Sequence, residues 1–161
     1  MKPKIYVESS VISYLAGKPS RDIFVLAHQQ LTQSWWSERK NNYDLFISPL
    51  VLIEIMRGDI SAASDRKIAA TGLPILDPKA EIESLAALLL KKGSLPPKAG
   101  DDALHIAWAA CHDMDYLLTW NCTHIANATT RKTIEATIRE AGFMIPTICT
   151  PEELFEDFNH D

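Results

Sequence analysis

Three acidic side chains lie in or beside apolar segments, where a carboxylate is unusual. Glu8 ends a β-favouring run (IYV), Glu54 interrupts the apolar run at residues 50–56 (LVLIEIM), and Asp102 lies at the edge of the apolar stripe in GDDALHIAWAACHD. Carboxylates are rarely buried without a partner, so each acid needs a cation, a hydrogen-bond donor or water. Oxygen ligands suit Mg²⁺ and Mn²⁺, ions that activate water and stabilise the oxyanions of phosphoryl transfer. The residue types are therefore those of a Mg²⁺ or Mn²⁺ site, if the fold brings the acids together.

Each acid also has an ordinary structural interpretation. Glu8 would be a solvated turn residue, and Glu54 would pair with Arg57, which lies three residues on and on a neighbouring helical face. Asp102 would be a first-turn acid that complements the helix dipole. We expect its neighbour Asp101 to be the N-cap of the same helix. For Glu54 we favour a position facing a cleft, because every other residue of its run is apolar.

Local patterns predict the elements that carry these acids. The two serines after the first strand, Ser9 and Ser10, predict an N-cap, so the acid before them stands at the carboxyl end of a strand, where α/β sheets bind ligands. The helix at residues 50–56 is apolar around its whole surface and is predicted to be buried. On the later helix, His105 and Trp108 fall on the more open side, and we expect them at the surface or in a cleft wall.

Short apolar runs alternate with helical periods along the chain. Strands are predicted at residues 5–7, 45–48, 116–119 and 146–149, and helices at 50–58, 61–70, 80–92, 101–113 and 125–141, with an amphipathic stretch at 21–41 and a short helix after Thr150. Strands that alternate with helices predict a mainly parallel sheet with helices on both faces. The predicted fold class is therefore a three-layer α/β/α fold, and we expect residues 1–161 to form a single domain.

Length, composition and charge restrict the class of protein. The chain has 161 residues, of which 47% are apolar and 23% charged, as in ordinary globular proteins. No apolar run approaches the length of a membrane span, about 18 residues, and no secretory signal is recognisable. Three cysteines form no disulfide framework, so we expect a cytoplasmic protein that does not enter a membrane. The net charge of −5 argues weakly against a protein that coats nucleic acid, but it does not exclude a metal-dependent nuclease.

Four motifs in a fixed order resemble the PIN domain, in particular the VapC-type toxin ribonucleases. The motifs are IYVESSVISYL, SPLVLIEIMRG, GDDALHIAWAA and YLLTWNCTHIAN, and the resemblance extends from Ile5 to about Phe155. Each motif is weak singly, and their order makes the resemblance specific. The acid that closes the first strand in that family corresponds to Glu8. The glutamate in the helix after the second strand corresponds to Glu54, and the aspartate that opens the DAxHIAxA helix corresponds to Asp102.

The resemblance implies a metal-dependent endoribonuclease. Glu8, Glu54 and Asp102 would bind Mg²⁺ or Mn²⁺. Thr119 and Asn121, which lie at and just beyond the end of a later strand, would orient water or a ligand. Hydrolysis of RNA would leave a 5′-phosphate and a 3′-hydroxyl. Family members commonly form homodimers, and a small antitoxin protein commonly inhibits them by inserting its tail into the acidic cleft.

The sequence departs from the family pattern at two positions. Glu8 replaces the usual aspartate and is one methylene longer. Asn121 stands where a fourth acid often follows the hydroxyl residue, so the site has one fewer anion and should hold a second metal ion less strongly. These departures motivate an alternative, a PIN-fold module that binds RNA or protein without cleaving it.

The sequence also allows other classes of α/β protein, and it predicts how the acids would affect one another. A phosphatase or a receiver-like α/β domain would fit the architecture, although both typically close the first strand with an aspartate. Arg131, Lys132 and Arg139 would guide RNA, but a solvated helix face explains them equally well. If the three acids meet without an ion, their repulsion is expected to raise at least one carboxylate pKa.

Overall fold

A four-stranded parallel sheet forms the centre of the protein in the computed structural model, which describes residues 1–155. Its strands are β1 (Lys4–Val7), β2 (Asp44–Phe46), β3 (Tyr116–Leu118) and β4 (Thr147–Cys149), in the order β2-β1-β3-β4. All pairings between these strands are parallel. The chain passes from β1 to β2 on one side and later returns to β3 on the other, so the direction of winding reverses between β1 and β3. Open α/β sheets bind ligands at such a reversal, outside the carboxyl ends of the strands.

Within residues 1–155, seven α-helices flank the sheet. They are α1 (Ser9–Ala16), α2 (Ile23–Glu38), α3 (Pro49–Ile55), α4 (Ile60–Ala69), α5 (Ala80–Lys91), α6 (Gly100–Cys111) and α7 (Ala128–Glu140). α1 packs against α2, α3 and α4, whereas α5 packs against α6 and α7. The helices and the sheet make a three-layer α/β/α fold, which confirms the predicted fold class. In this part of the chain, no helix has both the length and the apolar character needed to cross a membrane.

The register of the two central strands brings two distant chain positions together. Val7 at the end of β1 pairs with Leu118 at the end of β3. The backbone N–H of Glu8 then donates to the Leu118 carbonyl at 3.0 Å. Glu8 and Thr119 therefore leave neighbouring strands side by side, at the carboxyl edge and at the reversal point. Both strands are central in the sheet, which is why their sequences (IYV and YLL) are continuous apolar runs.

Two helices begin differently from the sequence-based expectation. α1 begins at Ser9 with Glu8 as its N-cap residue, and no side chain caps it. The prediction that Ser9 or Ser10 is the N-cap is therefore wrong, because both hydroxyls bind the Glu8 carboxylate, which is a stronger acceptor. α6 begins at Gly100, so Asp101 lies in its first turn and the prediction that Asp101 is the N-cap is also wrong.

The α3 helix begins as predicted but is not buried all round. Pro49 occupies the first turn, and Ser48 caps the helix by accepting the Val51 N–H at 3.3 Å. Ile53 is 58% exposed and Met56, just beyond the last turn, is 50% exposed. The prediction of a fully buried helix is wrong, because the apolar run is wider than the face that the neighbouring elements cover.

The last described segment has the predicted cap at Thr150, although the residues that follow it form turns and not a helix. The Thr150 hydroxyl accepts the Glu153 N–H at 3.3 Å, and the Glu153 carboxylate accepts the Thr150 N–H at 2.8 Å. This reciprocal pair is a capping box. Residues 151–154 form turns, and the rest of the predicted helix lies outside the described residues.

Candidate metal site

Glu8 is a buried carboxylate that three hydroxyl groups hold. It is 5% exposed, so it is not a solvated turn residue. Thr119 donates to its Oε2 at 2.7 Å, Ser9 lies 2.9 Å from its Oε1, and the Ser10 hydroxyl also donates to Oε2. Burying a carboxylate is unfavourable unless its oxygens are hydrogen-bonded, and bonds to a charged acceptor are about twice as strong as neutral ones. The hydroxyls therefore both stabilise Glu8 and fix its orientation.

Backbone donors set the direction of two of these bonds. The Trp120 N–H donates to the Ser10 hydroxyl at 2.8 Å, and the Asn121 N–H donates to the Thr119 hydroxyl at 2.9 Å. A backbone N–H can only donate, so each hydroxyl oxygen accepts there and turns its own proton toward Glu8. Thr119 thus contacts Glu8 directly, and the loop after β3 supports that contact through its backbone.

Glu54 reaches the same place from the last turn of α3. Its side chain is 21% exposed, and its Oε1 lies 2.8 Å from the Ser9 hydroxyl and 2.5 Å from His105 Nε2. The alternative pairing of Glu54 with Arg57 is not the arrangement observed. The Arg57 guanidinium instead lies 3.6 Å from the Asp101 carboxylate. This pair gives Asp101 a partner just after α3 in place of the capping role predicted for it.

Donors and cations around Glu54 lower its pKa from the usual value. Burial raises the pKa, but it is outweighed by the hydrogen bond from His105, by the Ser9 hydrogen bond and by the positive charge of Arg57. At Glu54 the shift is therefore opposite to the one expected from repulsion between acids. The carboxyl group is ionised at neutral pH and can bind a cation.

His105 is the residue that sequence reasoning misplaced. It is 0% exposed and Trp108 is 7% exposed, so the prediction that they lie on an open side is wrong. Glu8, Glu54 and His105 each offer one ligand atom, and these atoms lie within 4.8 Å of one another. The signal was present in the sequence: residues 103–111 are apolar except for this histidine, the same pattern that made Glu54 conspicuous.

Asp102 opens onto the same cleft but has partners of its own. Its Oδ1 accepts from the Asn121 amide at 2.9 Å, and its Oδ2 lies 2.7 Å from His124 Nδ1. The His124 backbone N–H donates to the Asn121 amide oxygen at 3.1 Å, which fixes the orientation of that amide. Glu54 and Asp102 both line an open cleft of about 530 Å³. The structure therefore places Asp102 on the cleft wall, outside the close group that the other two acids form.

One hydrogen-bonded network connects all five predicted site residues. It runs through Asp102, Asn121, Thr119, Glu8, Ser9 and Glu54. The Ser9 hydroxyl lies within bonding distance of both glutamates but carries a single proton, so at any moment one carboxylate oxygen faces a lone pair. Two close carboxylates with one proton between them favour a cation, and oxygen ligands suit Mg²⁺ or Mn²⁺. The residues present therefore fit such an ion.

No protein-family model matches this sequence, and no curated protein matches it. The chemistry of the site therefore has to be argued from its geometry. The two glutamates sit at the reversal point of the sheet, ordered hydroxyls hold one of them, and the cleft gives the other access to solvent. Anionic ligands, fixed polar groups and an open side are what metal-assisted hydrolysis requires.

Proposed function

We propose that the chain is a metal-dependent endoribonuclease of PIN type, which hydrolyses RNA phosphodiester bonds. The observation that carries the proposal is the convergence of Glu8 and Glu54, from separate elements, on the carboxyl edge of a parallel sheet beside an open cleft. The resemblance of four ordered motifs to the PIN domain supports the same function. Neither argument depends on the overall charge of the chain.

The proposed roles follow from the contacts. Glu8 and Glu54 would bind Mg²⁺ or Mn²⁺, and Asp102 would complete the ligand set from the cleft wall. When bound, the ion supplies stabilisation of the phosphate oxyanions and lowers the pKa of water. Thr119 keeps Glu8 in one orientation, and Asn121 does the same for Asp102. By analogy with the family, the products would carry a 5′-phosphate and a 3′-hydroxyl.

RNA is the proposed substrate because cations border the acidic cleft. Lys98 lines the cleft, and Arg57 binds Asp101, another lining residue. Such side chains contact phosphates and position a nucleic acid without reading its sequence. The basic residues of α7 remain a further predicted contact.

The remaining partner and location proposals rest on the resemblance to the PIN family. They are a small antitoxin protein, which would insert a segment into the cleft, a homodimer of this chain, and a cytoplasmic location. The three cysteines, Cys111, Cys122 and Cys149, are free thiols, which suits a reducing compartment.

Cleavage of single-stranded RNA by the purified chain tests the proposal. Cleavage is expected with Mg²⁺ or Mn²⁺ and none with EDTA. Glu54→Gln should reduce the rate by at least about 100-fold, because stabilisation by the metal is worth several kcal/mol. Glu83→Gln, at an exposed glutamate of α5, is the matched control and should cleave normally. Cleavage that survives both EDTA and Glu54→Gln would overturn the proposal.

A binding module without catalysis is the second candidate function. Three hydroxyls already surround the Glu8 carboxylate, and Asn121 donates to Asp102 in place of a fourth acid. Such a module would shift RNA in a gel without cleaving it at any metal concentration. The cleavage assay therefore separates the two candidates, with RNA binding measured on the same samples.

A further inference from the structure

A chain of buried polar side chains runs from the start of α3 to its end. Ser48 Oγ lies 2.8 Å from the Tyr6 hydroxyl, which lies 2.7 Å from His105 Nδ1, and His105 Nε2 lies 2.5 Å from Glu54 Oε1. Ser48, Tyr6 and His105 are all 0% exposed. The four residues come from the N-cap of α3, from β1, from α6 and from the last turn of α3. The chain therefore connects three elements beneath the cleft.

The N-cap of α3 gives this chain a direction. The Val51 N–H donates to Ser48 Oγ, so the Ser48 hydroxyl is an acceptor there and has its own proton left to donate. That proton can go to the Tyr6 oxygen, Tyr6 can then donate to His105 Nδ1, and Nε2–H can donate to Glu54. In this arrangement every hydroxyl proton and the ring proton have an acceptor. In the reverse direction Tyr6 donates to Ser48, so both groups that the Ser48 hydroxyl contacts, the Tyr6 hydroxyl and the Val51 N–H, act as donors and neither accepts its proton.

We propose that His105 is a positioning residue that donates from Nε2–H to Glu54 and does not bind the metal ion itself. This inference rests on the proposed function, because it assigns the ligand set of that same site. The imidazole lies close enough to Glu8 and Glu54 to be counted as a third ligand. Binding through Nε2 would, however, require the proton to move to Nδ1 and the Tyr6–Ser48 bonds to reverse. A side chain that donates a hydrogen bond to a metal-binding carboxylate orients that carboxylate and fixes its geometry.

The consequence is a site whose ligands are oxygens. Carboxylate ligands suit Mg²⁺ and Mn²⁺, whereas an imidazole ligand would raise the affinity for Zn²⁺ and related ions. The Ser48–Tyr6–His105 chain therefore contributes to metal selection by keeping the imidazole nitrogen protonated toward Glu54.

Nitrogen NMR of the histidine rings tests the assignment directly. In metal-free protein labelled with ¹⁵N-histidine, the expected signature of His105 is a protonated Nε2 and an unprotonated Nδ1. The same pattern should persist after addition of Mg²⁺. With ¹¹³Cd²⁺ as a spin-active probe, no scalar coupling between cadmium and His105 Nε2 is expected. A protonated Nδ1 with a bare Nε2, or a cadmium–Nε2 coupling, would overturn the inference.

The Mn²⁺ affinity of four variants, one of them a control, provides a readout that a purely structural role would not give. His105→Gln keeps an N–H donor near the Nε2 position and should bind Mn²⁺ almost as wild type does. His105→Leu removes the donor and should bind Mn²⁺ about 10–100-fold more weakly, as is typical when a metal ligand loses its hydrogen-bond partner. Tyr6→Phe removes the hydroxyl that contacts His105 Nδ1 and should also weaken Mn²⁺ binding. Its control is Tyr116→Phe, at the amino end of β3.

The outcomes separate this inference from the proposed function. An equal loss of Mn²⁺ affinity in His105→Gln and His105→Leu would overturn the positioning role. If the wild-type chain still bound Mn²⁺, the proposed metal site would stand. Failure of the wild-type chain to bind Mn²⁺ or Mg²⁺ would instead overturn the proposed function. In that case the ring-nitrogen spectrum of the metal-free protein still supports or overturns the donor assignment.

Discussion

Replacing Asn121 by aspartate would put a carboxylate oxygen where an amide now donates to Asp102. In the structure the Asn121 amide nitrogen lies 2.9 Å from Asp102 Oδ1, and its amide oxygen accepts the His124 N–H at 3.1 Å. Aspartate has two acceptor oxygens and no donor. One oxygen would keep the bond to His124, and the other would face Asp102. A hydrogen bond would thus become a repulsion between anions.

The distance sets the size of the effect in metal-free protein. At 2.9 Å, two unit charges repel by about 1.4 kcal/mol in a medium like water and by about 6 kcal/mol at an effective dielectric of about 20. The larger value cannot be reached, because protonating a carboxyl group of ordinary pKa at pH 7 costs only about 4 kcal/mol and removes the repulsion. We therefore expect Asn121→Asp to lower the free energy of unfolding by about 1–4 kcal/mol.

Urea unfolding in EDTA and then in Mn²⁺ measures both parts of this prediction. The added negative charge should tighten Mn²⁺ binding, seen by calorimetry, so the stability difference should shrink or reverse when the ion is present. Asn42→Asp, at an exposed asparagine between α2 and β2, is the control for adding a negative charge away from the site and should leave both stability and Mn²⁺ affinity nearly unchanged. Unchanged metal-free stability, or Mn²⁺ affinity no tighter than wild type, would refute the argument and put Asn121 outside the metal site.

Three further substitutions probe the surroundings of the site. Thr119→Val removes a charge-assisted donor from Glu8 and should lower the free energy of unfolding by about 1.5–3 kcal/mol in urea titrations; no loss would mean that the hydroxyl bond is absent. The folded-state pKa of Glu54 lies below its usual value, so its stabilisation is present above the unfolded-state pKa and is lost as pH falls through the folded-state pKa. Glu54→Gln should therefore flatten the acid side of the stability profile in thermal melts, and an unchanged profile would contradict the shift. Arg57→Gln breaks an exposed pair with Asp101 and should change stability by less than about 1 kcal/mol, yet weaken RNA binding at low salt in filter-binding assays. Equal RNA binding would remove Arg57 from the proposed interface.

The sequence by itself determined the fold class and drew attention to two carboxylates of the candidate site. Alternation of short apolar runs with helical periods is a local pattern, and it is sufficient for a parallel sheet between helix layers. Glu8 was conspicuous because it ends an apolar strand and Glu54 because it interrupts an apolar run, and both are local properties. His105 had the same property on α6, and applying the criterion evenly would have found it.

Only the tertiary structure decided which groups these side chains meet. Strand register puts Thr119 beside Glu8, and the packing of α3 and α6 brings His105 to Glu54 and leaves Asp102 with His124. A polar residue in an apolar run indicates that its side chain needs a hydrogen-bonding or charged partner, but the neighbouring residues in the sequence do not identify that partner. The partner is chosen by segments that are remote in the chain and become close only when the core closes, because hydrogen bonds act over about 3 Å and depend on orientation.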